Sequence, residues 1–243
     1  MLWIDNNSTD PAWNLAAEEY VLTTRKETIG MLWRNGPSVI IGKNQDLEAE
    51  VDTALAEKRG IAIVRRITGG GAVFHDLGNV NFTYMFTFEG THQMDFGPFA
   101  RPAVEALATM GVEAGLSGRN DILVDGKKVS GCAHACVGNR ALYHGTLLFS
   151  ADLSEMEGLL RYSEEKYRGR GIKSVSARVE NLSHWIKGMD VNEFMNRMRD
   201  LLAKDSERSS FTSEEIAGID KLRAEKYANI AWTAGASFQG QTP

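Results

Sequence analysis

A chain of 243 residues, 43% hydrophobic and 24% charged, can bury a sizeable core as one large domain or a domain with a small annex, and it is neither disordered nor membrane-spanning in composition. Its net charge of -5 provides no overall basic field, which excludes a nucleic-acid backbone as the first-choice partner and leaves only a local basic site. No basic segment followed by an apolar one opens the chain, and no apolar run reaches membrane-spanning length, so a cytoplasmic location is expected.

In chain order, Asp10 and Pro11 read as an N-cap and first helical residue, followed by an amphipathic helix with early acids, AWNLAAEEYVLTTRK. GMLWRN and SVIIG, broken by Gly36-Pro37, read as a strand pair with a turn. VDTALAEKRG reads as a helix stopped by glycine, and IAIVRR as a buried strand leading into RRITGGGAVFHD, Arg65 to Asp76. NVNFTYMFTF is a strand candidate and FGPFARPAVEALATMG a helix with a glycine stop. DILV, KKVSGCAHAC and ALYHGTLLFS add three strands, with turns at Asp125-Gly126 and Gly138-Asn139. From about Asp152 the chain turns helical and charged: DLSEMEGLLRY, VNEFMNRMRDLLAK and TSEEIAGIDKLRAEKY, with a basic loop EEKYRGRGIKSVSAR between the first two. The pattern predicts a mixed β-sheet flanked by helices, with no internal repeat and no linker demanding a domain boundary.

Three glycines at 69–71 free the backbone to adopt positive φ and bring N–H groups against an anion; a tight turn between strands is the plainer reading. The motif is neither a Walker A loop nor a dinucleotide fingerprint. Arg65 and Arg66 before it, and His75 and Asp76 after it, favour the anion cradle. In GRNDILVDGKKVSG, Asn120 and Asp121 offer oxygen ligands to Mg²⁺ and a following lysine could neutralise a carboxylate or phosphate; turn formers and a solvated hairpin edge are the alternatives. In LYHGTLLF, His144 and Thr146 flank a glycine on an otherwise apolar strand, where a structurally satisfied histidine is the commoner case. Cys132, His134 and Cys136 lack a fourth zinc ligand and read as reduced, structural cysteines.

Together, RRITGGGAVFHDLGNVNFTYMF, DPAWNLAAEEY, LWRNGPSVIIGKNQD, GRNDILVDGKKVSG, YHGTLLFSADLSEM and GIKSVSARVENL resemble lipoate-protein ligases in order and spacing, over nearly the whole chain. That family belongs to the biotin and lipoate transferases, whose catalytic fold is similar to class II aminoacyl-tRNA synthetases. The resemblance implies that lipoate and ATP, with Mg²⁺, form lipoyl-AMP and pyrophosphate. A lysine of a lipoyl domain, on a 2-oxoacid dehydrogenase E2 component or the glycine-cleavage H protein, then attacks the mixed anhydride.

It implies an essential role for Lys128, which would also touch the adenylate. The same resemblance assigns Arg66, Thr68, Gly69, Gly70, Gly71, Ala72, Val73, Phe74, Asn79, Ala133, Gly145 and Thr146 to ATP and lipoyl-AMP. Trp33, His75 and His144 fall to the lipoyl pocket, and Asn120 and Asp121 to Mg²⁺. Transferases of this fold that pass the acyl group through a cysteine carry it upstream of the DGKK turn, where GVEAGLSGRNDILV has none. The arginine-rich glycine loop of biotin ligases is also missing.

Residues 1–243 are expected to form a single, monomeric catalytic domain without the C-terminal accessory domain of many bacterial ligases. Activation by a separately encoded accessory protein, a transferase taking ready-made lipoyl-AMP or a carrier-bound acyl group, and a non-catalytic lipoate- or carrier-binding module are the alternatives.

Overall fold

The computed structural model describes residues 1–90, 95–118, 120–161 and 179–235. Its eight-stranded sheet is built from β1 (Leu2–Asp5), β2 (Ile29–Trp33), β6 (Asn79–Thr87), β7 (Ala114–Ser117), β8 (Asp121–Val124), β9 (Lys127–Val137), β10 (Arg140–Leu148) and β11 (Glu207–Ser209). The spatial order is β11-β1-β2-β6-β10-β9-β8-β7, with β1 parallel to both neighbours and every other pair antiparallel. A second, three-stranded sheet places β3 (Ser38–Ile41) between β4 (Ala62–Arg65) and β5 (Val73–His75). The helices are α1 (Pro11–Thr24), α2 (Leu47–Glu50), α3 (Thr53–Lys58), α4 (Gly97–Thr109), α5 (Val191–Leu202), α6 (Ser213–Leu222) and α7 (Ile230–Ala234). This is the mixed α/β architecture expected.

The large sheet separates two cores. On one face, Ile122, Val124, Val129, Cys132, Phe82 and Tyr143 pack against Ala103 and Leu107 of α4 and Phe194 and Met198 of α5. On the other, Met31, Trp33, Met85 and Leu142 pack against Ala16, Ala17 and Val21 of α1. Helix α1 begins where Asp10 accepts hydrogen bonds from the Ala12 and Trp13 amides, with Pro11 at the first position. It buries Asn14 and Glu18 together with its apolar residues, so Glu18 faces the interior.

Two expectations are corrected. GMLWRN and SVIIG do not pair: β2 is buried at all five positions and both its edges are occupied, by β1 and β6. Residues 35–37 therefore carry the chain over to the second sheet, where β3 pairs with β4 and β5. DLSEMEGLLRY is turn-rich rather than helical as far as Arg161. Gly158 has a φ of +79°, and the backbone is committed elsewhere, with Leu159 O accepting from Asp52 N and Arg161 N donating to Glu50 O. The basic stretch 164–178 lies outside the described residues. The Asp125-Gly126 turn forms as expected, both residues at positive φ (49° and 75°), and closes the β8–β9 hairpin.

Candidate active site

One polar row crosses the α1 face of the large sheet. Trp33 on β2 is opposite Asn81 on β6, Asn81 is opposite Thr146 on β10, the Thr146 hydroxyl accepts from Gly131 N on β9 at 3.1 Å, and Gly131 is opposite Asp121 on β8. The next rung holds Met31, Thr83, His144 and Ala133. Five strands span about 19 Å at ordinary strand spacing. Asparagines and threonines on a buried sheet face are costly unless something polar meets them, and Asn79 Oδ1 and Asn81 Nδ2 are buried without a partner among the described residues.

Lys128 reaches this row through a β-bulge. The β8–β9 register pairs Ile122 with Ser130 but Leu123 with Lys128, leaving Val129 as an extra residue. Val129 and Ser130 are both fully buried, and Val129 joins the α4 core, so the alternation of faces reverses across them. Lys128 and Gly131, three residues apart, consequently share the site face. A Cβ at Gly131 would lie 2.8 Å from Lys128 Nζ. The amine forms an ion pair with Asp121 Oδ1 at 2.8 Å.

The glycine segment lies between β4 and β5. Arg66 is 5% exposed, and its guanidinium donates to Ile40 O (3.0 Å), Thr68 Oγ1 (2.9 Å), Gly69 O (2.7 Å) and Gly71 O (2.8 Å). Burial lowers its pKa to about 10, still a cation at neutral pH. Three of its five N–H groups hold Thr68, Gly69 and Gly71 of the loop, and a fourth anchors it to Ile40 O on β3. Because each peptide plane is trans, turning the carbonyls of 69 and 71 towards Arg66 aims the N–H groups of Gly70 and Ala72 the opposite way. Gly70 and Gly71 are exposed, and Gly70 takes a φ of +95°. Arg65 is a second brace: it donates to Gly42 O, Lys43 O and Gln45 O, and to Trp232 O and Thr233 O of α7. The two arginines thus shape the cradle from behind.

Behind the row runs a buried chain of polar contacts that sequence reasoning saw only in part. Trp33 Nε1 donates to Thr83 Oγ1 (2.8 Å), which donates to Glu18 Oε1 (2.6 Å). Glu18 contacts His144 Nδ1 at 3.0 Å, and His144 Nε2 meets Thr68 Oγ1 at 2.9 Å. Glu18, Thr83 and Asn81 were not anticipated; the available signal was a carboxylate four residues after Asn14 on an otherwise apolar helix face. A second chain links Asn14 Nδ2 to Asn35 Oδ1 (2.9 Å) and Asn35 Nδ2 to His75 Nδ1 (3.1 Å). The His75 ring packs edge-on to Trp33, and its Nε2 has no partner among the described residues.

Burial, reinforced by Arg66 and then His144, pushes the His75 pKa from 6.5 to about 3, so the ring is neutral at physiological pH. As pH falls, the unfolded chain takes up this proton first. Stability is therefore lost below pH 6.5, by up to about 1.4 kcal/mol for each pH unit, until the loss levels off near pH 3. Denaturant titrations across this window should give a shallower acid slope for His75→Gln than for the wild type. An unchanged slope would place the acid lability elsewhere.

Other anticipated residues divide by face. Ala133 and Thr146 lie on the site face. Gly145 faces the α4 core, where a Cβ would come within 2.4 Å of the Phe82 ring, and Phe74 packs into the small sheet's core with Val39 and Ile41; both offer only backbone to the site. Asn120 Nδ2 donates to Cys132 O at 2.6 Å, and Asp121 Oδ1 is paired with Lys128. Among the described residues no group of three His, Cys, Asp or Glu could hold a metal ion. Cys132 is buried on the opposite face, its thiol pushed up to about 12 by burial, and Cys136 is exposed.

Comparison with known proteins gives a consistent answer. The family described as lipoyl protein ligase A/B catalytic domain matches residues 10–203. Lipoate-protein ligase 1 of Staphylococcus aureus is 40% identical over 236 residues, covering 95% of this chain and 72% of that protein. Lipoate-protein ligase LplJ of Bacillus subtilis is 38% identical over 246 residues, covering 98% and 74%. Among solved structures, a bipartite lipoate protein ligase studied with its E2 lipoyl domain from Thermoplasma acidophilum superposes with a TM-score of 0.82 at 29% identity, covering 96% of this chain and 95% of that one. A T. acidophilum protein with bound lipoic acid gives 0.81 at 26% identity, and a lipoate-protein ligase A bound with ATP gives 0.80 at 26%, each covering 96% and 98%. Motif order, fold and relatives agree, and the chain belongs to the lipoyl protein ligase A/B catalytic domain family.

Proposed function

We propose that this chain activates lipoate with ATP to lipoyl-AMP, releasing pyrophosphate, and passes the lipoyl group to the lysine of an apo lipoyl domain. The observation that carries this reading is the polar row of the large sheet, with Lys128 at one end and Trp33 at the other, beside a glycine loop whose amides point outward. Gly70 N–H and Ala72 N–H meet the adenylate phosphate. Trp33 and the neutral His75 flank the acyl chain, where an imidazolium would oppose burial of an apolar tail. Lys128 faces the reacting carbonyl and phosphate and stabilises the negative charge that develops there in both steps. The adenylate already carries an activated carbonyl, so the acceptor amine attacks it directly and AMP leaves.

A thioester route through this chain has no support, because Cys132 is buried on the far side of the sheet with a raised pKa and Cys136, four residues along the same strand, shares that face. Mg²⁺ enters with ATP, on its phosphate oxygens, and no step is assigned to a protein-held ion. The carriers are lipoyl domains of the 2-oxoacid dehydrogenase E2 or glycine-cleavage H type, and the chain works as a cytoplasmic monomeric catalytic domain. Lipoate-dependent exchange of labelled pyrophosphate into ATP tests activation and should proceed with the purified chain. Transfer from ready-made lipoyl-AMP without any exchange would assign activation to a separately encoded partner. Lipoate binding with neither exchange nor transfer would reduce the chain to a binding module.

A further inference from the structure

We propose that Asp121 is a positioning residue for Lys128 rather than a Mg²⁺ ligand, an inference that rests on the ligase reading of the same site. Three features fix the lysine's backbone and leave its amine one place to go. The bulge at Val129 sets Lys128 on the site face. Its carbonyl accepts from Glu180 N at 3.0 Å, and it bridges Val179, so the chain around it cannot drift. Gly131 leaves a gap that the amine occupies, since a Cβ there would sit 2.8 Å from Nζ and 3.0 Å from Cε. Asp121, opposite Gly131 in the register, closes this pocket and holds the amine at 2.8 Å.

The chemistry suits a tether better than a cation site. Both partners are about one-third exposed, with side-chain exposures of 37% and 34%, so the pair is weak enough to be exchanged for a stronger anion. Lys128 can leave Asp121 for the lipoyl carboxylate or the adenylate phosphate and return when AMP departs. A Mg²⁺ at Asp121 would sit beside an ammonium, which it repels.

The test uses the full chain and two assays. In the first, lipoyl transfer from synthetic lipoyl-AMP to an apo lipoyl domain is measured with a chelator and no ATP. Asp121→Asn is expected to slow transfer about tenfold through misplacement of the amine, with Asp121→Glu recovering part of the loss. Gly131→Ala, which displaces the same amine, is expected to lose as much. The Mg²⁺ midpoint for ATP-dependent activation stays at the wild-type value in Asp121→Asn. Unchanged transfer with a Mg²⁺ midpoint raised severalfold would overturn the proposal and restore the ligand role.

In the second assay, acetic anhydride labelling of Lys128 is followed by mass spectrometry against Lys58 in the same molecule. Loss of the tether should raise relative labelling of Lys128 severalfold in Asp121→Asn. Equal labelling would also overturn the proposal. A wild type that fails to transfer but shows the labelling change would defeat the ligase reading and leave the tether standing.

Discussion

Glu18→Ala is expected to destabilise the protein by about 2–5 kcal/mol, through buried hydrogen-bonding groups left unpaired and the cavity left by the side chain. Glu18 is 2% exposed and accepts the Thr83 hydroxyl at 2.6 Å while contacting His144 Nδ1 at 3.0 Å. Alanine there leaves the Thr83 hydroxyl and the His144 ring nitrogen without that partner, and opens a cavity under the sheet. The damage travels, because His144 Nε2 meets Thr68 Oγ1, which also receives Arg66 Nε. ATP and lipoate utilisation should therefore both fall, whereas a loss of packing alone would spare the loop. Glu18→Gln keeps the volume and one acceptor oxygen, and should cost about 1–3 kcal/mol. Denaturant unfolding measures both; an alanine variant within about 0.5 kcal/mol of wild type would mean that the buried chain of contacts is not structural.

Arg66→Lys should lower kcat/KM for ATP about 100-fold or more, nearly as far as Arg66→Ala. The guanidinium holds Gly69 O and Gly71 O at 2.7 and 2.8 Å from a single Nη2 while bonding Ile40 O and Thr68 through its other nitrogens. An ammonium has neither that fork nor that reach. Without it the carbonyls are no longer turned inward, the Gly70 and Ala72 amides lose their aim, and loss of one aligned donor commonly costs 100-fold to 1,000-fold. Were Arg66 acting on the nucleotide as a simple positive charge, lysine would recover most of the activity. Steady-state kinetics of the two variants, at saturating lipoate, separates these cases.

Much of this was legible in the sequence, for reasons that differ from place to place. The α1 cap, the Asp-Gly turn and the long strands follow from local chemistry, and each formed where the pattern put it. Strands β1, β5, β7 and β11, of three or four residues, are too short to show a period and exist through their partners. The GMLWRN–SVIIG pairing failed because apolar runs flanking a turn do not reveal that β2 already has two neighbours. Lys128, Trp33 and the glycines stood out through their motifs, but nothing local distinguishes an arginine that contacts a ligand from one that holds the loop behind it. Glu18 was hidden for the opposite reason: an acid on a helix reads as a solvated face until tertiary packing closes over it. The bulge that turns Lys128 onto the site face is likewise a property of two strands together.

The proposed function has Lys128 act on a lipoyl adenylate held between the glycine loop and the polar row. Its most direct test is single-turnover transfer from synthetic lipoyl-AMP to an apo lipoyl domain, comparing wild type with Lys128→Ala at equal occupancy. The expected result is efficient transfer by the wild type and a loss of about 100-fold or more in the variant, with its melting temperature unchanged. Transfer by Lys128→Ala at the wild-type rate would contradict the account.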